Sequence, residues 1–252
     1  MIERYSKEKV AIINPSDFVK KIDGMPEIGI ACYSHVLFNE IVTKYHGEEI
    51  GSLNYTDMLK KIYKISYNNK QYAIFMMSVG APAAATCIED IHAMGCNKFI
   101  VFGNCGVLDK NIEDLAIIIP TNAIRDEGLS SHYLEYNKTI KLNEKYGSLL
   151  KDILNQKNYS YIEGTTWTTD AFYRETKDKV ADMKSLGAIC VEMEAAALQA
   201  VCDFRNIDLI TFFYAADNLD SDYWDKRSLL GKEKIDDKIL VMDLALELAN
   251  RM

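Results

Sequence analysis

The sequence is poor in the residue types that mark unusual classes of protein. Only 4 of its 252 residues are proline, 13 are glycine and 26% are charged, which excludes collagen-like, low-complexity and disordered chains. The six cysteines form no Cys-x-x-Cys pair and lie mostly in apolar runs, so we expect buried, reduced thiols and no metal site. Because 48% of the residues are hydrophobic, the chain can bury the core of a globular protein.

Positive charge and long apolar runs are also scarce. The chain has 29 Lys and Arg residues against 37 Asp and Glu, with no basic block, which argues against a nucleic-acid or membrane partner but leaves room for a local anion pocket. The apolar runs 115–120 and 209–216 are far shorter than the roughly 20 residues of a membrane-spanning helix. The N-terminal residues lack the apolar core of a secretory signal, so we expect a cytoplasmic protein.

Short runs rich in Val, Ile and Phe alternate with segments of helical composition, which is typical of an α/β domain. The sequence predicts strands at 28–32, 72–79, 99–102, 115–119, 161–165 and 209–214, and helices at 83–94, 191–204 and about 234–251. The strand at 99–102 is predicted to stop at Gly103-Asn104-Cys105-Gly106, where glycines let the backbone approach a ligand. With no linker and no internal repeat, we expect one domain over residues 1–252.

The most informative motif is Val-Glu-Met-Glu-Ala-Ala-Ala-Leu at 191–198, where two acids flank a methionine at the start of a helix. Acids are favoured there by the helix dipole, so the motif would suit an ordinary helix start. However, Glu192 and Glu194 lie in an otherwise apolar run, and a carboxylate among apolar groups needs a partner. A sugar diol is suitable, because two adjacent hydroxyls can donate hydrogen bonds to one carboxylate.

This motif, taken with the segments 103–106, 164–173 and 216–218, resembles the nucleoside phosphorylase superfamily. That superfamily contains purine nucleoside phosphorylases, uridine phosphorylases and methylthioadenosine nucleosidases. The resemblance implies an α/β domain with a twisted, partly barrel-like mixed sheet flanked by helices. It also implies a homo-oligomer, either a dimer or a trimer of dimers, and cleavage of an N-glycosidic bond.

The resemblance further implies roles for individual residues. Glu194 matches the residue that binds the ribose, and Met193 matches the residue that packs on the sugar. Phe172 matches an aromatic residue that stacks on the base, although it would equally suit a core position. The other expected substrate contacts are Glu192, Asn104, Cys105 and Gly106.

Asp217 follows the apolar run 209–216, where purine-cleaving members of the family have an aspartate that protonates purine N7. By position alone it could be a solvated loop residue or a helix cap. The Gln and Arg pair with which uridine phosphorylases bind their base has no matching motif in this sequence. The resemblance therefore favours a purine and leaves pyrimidine use open.

The sequence departs from the family where phosphate binds. Phosphorylases usually have a Gly-Asp-Pro loop after the first strand and phosphate-binding arginines, one just before the glycine turn and one from a neighbouring subunit. This chain has Ala-Cys-Tyr-Ser-His at 31–35 and Phe102 before the first glycine. Phosphate would therefore need Arg125, Arg174 or Arg227, and we select Arg174 because it is close in sequence to the predicted base-stacking aromatic.

The main hypothesis is phosphorolysis of purine nucleosides to free base and pentose 1-phosphate, with phosphate as co-substrate and no cofactor. A hydrolytic nucleosidase, a uridine-type phosphorylase and a non-catalytic nucleoside-binding relative are the alternatives. Glu194 and Asp217 favour an enzyme, whereas the missing arginines favour a binding protein. Trp224, in the segment 222–227 after the acid, is either a packing residue or part of a lid.

Overall fold

The computed structural model describes residues 5–56, 58–221, 223–229 and 234–252. Residues 1–4 of the N-terminal prediction and Asp222 of the lid prediction lie outside them. The strands are β1 (Ile28–Cys32), β2 (Glu48–Asn54), β3 (Leu59–Tyr67), β4 (Lys70–Met76), β5 (Lys98–Val107), β6 (Ile117–Asp126), β7 (Thr139–Lys141), β8 (Tyr161–Thr169), β9 (Ala188–Glu192) and β10 (Asp208–Asn218). The helices are α1 (His35–Lys44), α2 (Ala81–Met94), α3 (Ser130–Tyr133), α4 (Gly147–Gln156), α5 (Lys177–Ser185), α6 (Ala195–Arg205) and α7 (Ile235–Arg251), with 3-10 turns at Pro15–Asp17 and Phe172–Arg174.

Five of the strands close into a barrel within one ten-stranded mixed sheet. β5 pairs in parallel with β10 along one edge, and its last residues pair with β9 in antiparallel orientation along the other. β9 and β6 both pair in parallel with β8, and β6 returns to β10 in antiparallel orientation. β1 pairs with the first half of β5 and begins an extension in the order β1, β4, β3, β2. The predicted α/β fold with a partly barrel-like mixed sheet is therefore confirmed.

Helices cover the sheet, so its central strands are buried almost throughout. All five residues of β1 are buried, as are Leu209–Asn218 of β10, which is the pattern of parallel strands packed on both faces. Phe102 of β5 stacks on Phe212 of β10 with ring centroids 5.5 Å apart. α7 packs against α1, α4 and β1, and α6 packs against α2 and β10. This packing fixes the strand ends that carry the candidate site.

The structure corrects several predicted boundaries. β5 does not stop at Gly103 but continues to Val107, because β10 pairs with it along its whole length. A Cβ at position 103 would lie 2.7 Å from Tyr33, and one at position 106 would lie 2.5 Å from Leu219. The lack of a side chain at these two glycines therefore leaves room for Tyr33 and Leu219 beside β5. The predicted helix 191–204 is the end of β9 followed by α6, which begins at Ala195.

All six cysteines are free and buried, and the described residues contain no group of three or more His, Cys, Asp or Glu side chains that could hold a metal ion. Within the described ranges, the helices are too short or too polar for a membrane span.

Candidate active site

A cavity of about 790 Å³ lies at the carboxyl end of β5 and β10. These two strands are parallel neighbours, so residues at their ends meet at one edge of the sheet. The cavity walls include every residue that was predicted to contact substrate or to act as the acid: Asn104, Cys105, Gly106, Phe172, Glu192, Met193, Glu194 and Asp217. The topology therefore brings four separate sequence motifs to one place, while the role of each residue stays a prediction.

Glu192, the last residue of β9, is held by hydrogen bonds on both carboxylate oxygens. Its Oε1 accepts from the hydroxyls of Thr168 at 2.6 Å and Thr166 at 3.2 Å. Its Oε2 accepts from the backbone N–H groups of Glu194 at 2.7 Å and Ala195 at 2.6 Å. Burial raises the pKa of Glu192, and these four hydrogen bonds oppose the rise. Glu192 thus accepts hydrogen bonds from N–H groups at the start of α6 that have no partner within the helix. This arrangement indicates that Glu192 positions the backbone of the site.

Glu194 is equally buried but has a different environment. Its Oε1 accepts a hydrogen bond of 2.6 Å from the backbone N–H of Gly80, whose φ of +89° suits a glycine. Burial, and then the nearby charge of Glu192, raise the pKa of Glu194 to about 8. An acid of this kind can exchange a proton or bind hydroxyl donors near neutral pH.

Asp217 approaches the cavity where the pairing of β10 with β5 shifts register between Ala215 and Asp217. A Cβ on the facing Gly106 would lie 3.2 Å from Asp217 Oδ1, so glycine leaves room for the carboxyl group. The indole N–H of Trp224 donates a 2.7 Å hydrogen bond to Asp217 Oδ2. Burial raises the pKa of Asp217, and the Trp224 bond lowers it. Asp217 is therefore an acid with a raised pKa, and its Oδ2 already accepts a hydrogen bond.

A third acid, Glu175, also lines the cavity. Burial, followed by the charge of Asp217, raises the pKa of Glu175 to about 7. Two carboxyl groups that influence each other in one cavity resist simultaneous ionisation. The pair can consequently hold one proton at neutral pH.

Aromatic side chains form much of the outer wall. Phe172 is 48% exposed and Tyr173 is 86% exposed, with their ring centroids 3.9 Å apart. Because Phe172 is half exposed at the cavity, it does not act as an ordinary core aromatic, and it can offer a face to a planar ring. Tyr223 and Trp224 line the same cavity.

None of the three candidate phosphate-binding arginines belongs to the described cavity walls. Arg125 donates to the Ser130 hydroxyl and to backbone carbonyls of residues 134, 135 and 137. Arg227 donates to the carbonyl of Ile112 at 2.8 Å and pairs with Asp225 at 3.5 Å. Arg174 ends the 3-10 turn and is exposed. Lys177 is the only cationic side chain on the described walls, against four carboxyl groups.

Several wall residues had no assigned role in the sequence analysis, among them Tyr33, Glu175 and Lys177. The position of Trp224 could be predicted in part, because a tryptophan in a polar segment after an acid suggests a lid. Glu175 and Lys177 lie in a polar segment without any periodic pattern. Their approach to the site depends on tertiary packing, which no local pattern of residues specifies.

The sequence model of the Phosphorylase superfamily matches residues 27–250. The chain belongs to this superfamily. A similar relative is a guanosine phosphorylase of Halorubrum lacusprofundi, 29% identical over 145 residues that cover 56% of this chain and 58% of the relative. The match therefore spans less than two thirds of that superfamily member.

Two solved structures of the superfamily fold resemble the protein. A uridine phosphorylase of Vibrio fischeri has a TM-score of 0.77 at 18% identity, with 92% of this chain and 95% of that chain covered. A futalosine hydrolase mutant of Helicobacter pylori has a TM-score of 0.70 at 17% identity, with 90% and 98% covered. At these identities the likeness shows the shared fold. The fold accommodates phosphorylases and a hydrolase.

Proposed function

We propose that this protein cleaves the N-glycosidic bond of a purine nucleoside. The observation that carries the proposal is that Glu194 and Asp217 line one cavity together with the half-exposed ring of Phe172. A nucleoside needs these three kinds of contact: acceptors for its sugar hydroxyls, a proton source for its base and an apolar surface for the planar ring.

The chemistry follows from the charges that develop as the bond breaks. The electrons of the bond between ribose C1′ and the base move onto the base, while positive charge grows on the sugar. Glu194 accepts hydrogen bonds from the sugar hydroxyls, which lower its raised pKa and favour the carboxylate. The negative charge of that carboxylate then stabilises the positive sugar. Asp217 donates a proton to the departing base, which then leaves as a neutral molecule.

A purine is favoured as the substrate because its ring nitrogen N7 can accept a proton from Asp217. Burial raises the pKa of Asp217, which favours its protonated form relative to an exposed aspartate and supports a role as proton donor. The similarity to a guanosine phosphorylase supports the same substrate class. A homo-oligomer, implied by the family resemblance, is part of the proposal.

Water is proposed as the nucleophile, in place of the phosphate that the sequence favoured. Its oxygen bonds to C1′ as the bond to the base breaks, and the proton that it loses passes to a wall carboxylate, which replaces the proton given to the base. The described walls contain Glu175, Glu192, Glu194 and Asp217, and Lys177 is their only cation. A phosphate dianion in such surroundings meets repulsion without the charge-assisted hydrogen bonds that usually hold it. Phosphorolysis, supported by the phosphorylase relative, would need arginines from a second subunit.

Base release from a panel of nucleosides tests the proposed cleavage. Guanosine, inosine, adenosine and uridine are incubated with the wild type and with the Glu194→Gln and Asp217→Asn variants, all in phosphate buffer so that either nucleophile is present. The expected result is release of free purine by the wild type and strongly reduced release by both variants. No release from any of the four nucleosides would overturn the proposed function.

A further inference from the structure

Glu175 carries a carboxyl group on the cavity wall that has no hydrogen bond or ion pair with any residue the structure describes. It follows the 3-10 turn Phe172–Arg174, and its side chain is half-buried. Lys179, whose charge lies near it, forms a 2.6 Å ion pair with Asp126 instead. The other charged residues of the described walls, apart from Asp217, do not shift its pKa: Lys177, Glu192 and Glu194. A half-buried carboxyl group without a direct counter-charge favours its protonated form.

Asp217 is the carboxyl group that lies close enough for its charge to act on Glu175. Its Oδ2 accepts the hydrogen bond from the indole of Trp224 at 2.7 Å, so Oδ1 is left for another contact. The missing side chain of Gly106, whose Cβ would lie 3.2 Å from Oδ1, leaves room for that contact. Two acids of the cavity wall therefore influence each other at the place where Asp217 is proposed to meet the base.

The surroundings of the two acids decide which of them keeps a shared proton. Burial raises the pKa of Asp217, but the hydrogen bond from Trp224 and then the charge of Arg227 oppose the rise, and Asp225 adds only a smaller effect. Burial and then the charge of Asp217 raise the pKa of Glu175 to about 7. In the free protein near neutral pH, the proton of the pair therefore lies on Glu175.

We propose that Glu175 stores the proton that Asp217 delivers to the departing base. This inference rests on the proposed function. Glu175 passes its proton to Asp217, whose O–H bond then breaks as an N–H bond forms on the base. The water nucleophile loses a proton when its oxygen bonds to C1′, and that proton returns to Glu175, so each turnover leaves the pair with one proton. Glu175 thus acts through Asp217 and is not the group that touches the base.

The test compares Glu175→Gln with the wild type between about pH 5 and pH 9 on two substrates. Guanosine needs a proton on its leaving base, whereas 4-nitrophenyl riboside releases a phenolate without one. Glutamine keeps the size of the side chain but cannot hold the proton. The matched control is Asp178→Asn, which removes a negative charge from an exposed acid in the first turn of α5, outside the described cavity walls.

In Glu175→Gln, kcat for guanosine should begin to fall at a lower pH, because Asp217 alone ionises before the pair has lost its proton. At pH 7 the loss should be about tenfold, while KM and the rate on 4-nitrophenyl riboside stay near the wild type. Asp178→Asn should keep the wild-type profile. An unchanged profile in Glu175→Gln, or an equal loss of kcat on both substrates, would overturn the proton-storing role and leave the proposed cleavage intact.

A titration of the side-chain carboxyl groups by carbon-13 NMR makes the test independent of turnover. Glu175 should titrate near pH 7 in the wild type, and at a lower pH in Asp217→Asn, because the neighbouring negative charge is gone. Titration of Glu175 at the pH of an ordinary glutamate in the wild type would overturn its role as the proton store. Absence of base release by the wild type would instead overturn the proposed function, whatever the titration shows.

Discussion

Two parts of the cavity hold their carboxyl groups in different ways. At the junction of β9 and α6, Glu192 accepts four hydrogen bonds, and Glu194 accepts one from the main chain of Gly80. At the end of β10, Asp217 accepts a hydrogen bond from Trp224, whose side chain is 52% exposed. The first pair of acids is fixed by the fold itself, whereas the third depends on a surface side chain.

The difference suits the two halves of the proposed reaction. Sugar hydroxyls need an acceptor in one fixed place, which buried main-chain donors and threonines provide. A proton donor needs a tunable pKa, and one exposed indole can alter it without disturbing the core. Substitutions at these positions test whether the two sets of acids differ in this way.

Asp217→Asn is expected to have the largest effect. Asparagine can hydrogen-bond a base but cannot give it a proton, so purine release should slow by about 10² to 10⁴. The measurement is kcat for guanosine, compared with kcat for 4-nitrophenyl riboside, whose phenolate leaves without protonation. An equal loss of rate on both substrates would contradict the acid role.

Glu192→Ala should affect folding more than any other change in the site. The substitution leaves two buried N–H groups and two threonine hydroxyls without their acceptor, so the free energy of unfolding should fall by about 3 kcal/mol. Denaturant unfolding measures it. The control is Glu163→Ala, because Glu163 forms only a partly exposed ion pair with Lys151 at 3.2 Å and should change stability by about 0–1 kcal/mol. Similar losses in both variants would argue against a positioning role.

Glu194→Gln is expected to lower kcat/KM at least tenfold, which corresponds to about 1.4 kcal/mol of transition-state stabilisation. A neutral amide loses the charge that binds the diol and stabilises the sugar. Glu40→Gln, at an exposed position on α1, is the control and should behave as the wild type. Unchanged turnover in a folded Glu194→Gln protein would remove Glu194 from the site.

The same variant should change the pH dependence of stability. The folded pKa of Glu194 is raised to about 8 from an ordinary value of 4.5, so the native state binds more protons and this group destabilises the fold as pH rises between those values. Glu194→Gln should therefore flatten the fall in the free energy of unfolding towards pH 8.

Trp224→Phe should have the smallest effect, a displacement of the pH profile. Trp224 lowers the pKa of Asp217, so its removal raises that pKa further. Because the acid acts in its protonated form, the fall in kcat at high pH should move to higher pH. An unchanged profile would show that the indole does not tune Asp217.

Much of the cavity could be predicted from the sequence, because its motifs lie at or near strand ends. Asp217 follows the apolar run that forms β10, and parallel pairing of β10 with β5 brings it beside Gly106. The Glu194 motif reaches the same place through the short antiparallel contact of β9 with β5. The contact of Tyr33 with Gly103 and the hydrogen bond of Trp224 to Asp217 could not be predicted, since both join segments distant in sequence. Arg174 was selected for its nearness to Phe172, but nearness along the chain does not set the direction of a side chain.

The reaction proposed for this cavity is cleavage of a purine nucleoside by water. The most direct measurement is the identity of the sugar product when the wild type releases guanine from guanosine in phosphate buffer, followed by phosphorus NMR and by a reducing-sugar assay. Hydrolysis predicts free ribose, no ribose 1-phosphate and an unchanged rate when phosphate is omitted. Formation of ribose 1-phosphate, with no guanine released in the absence of phosphate, would contradict it.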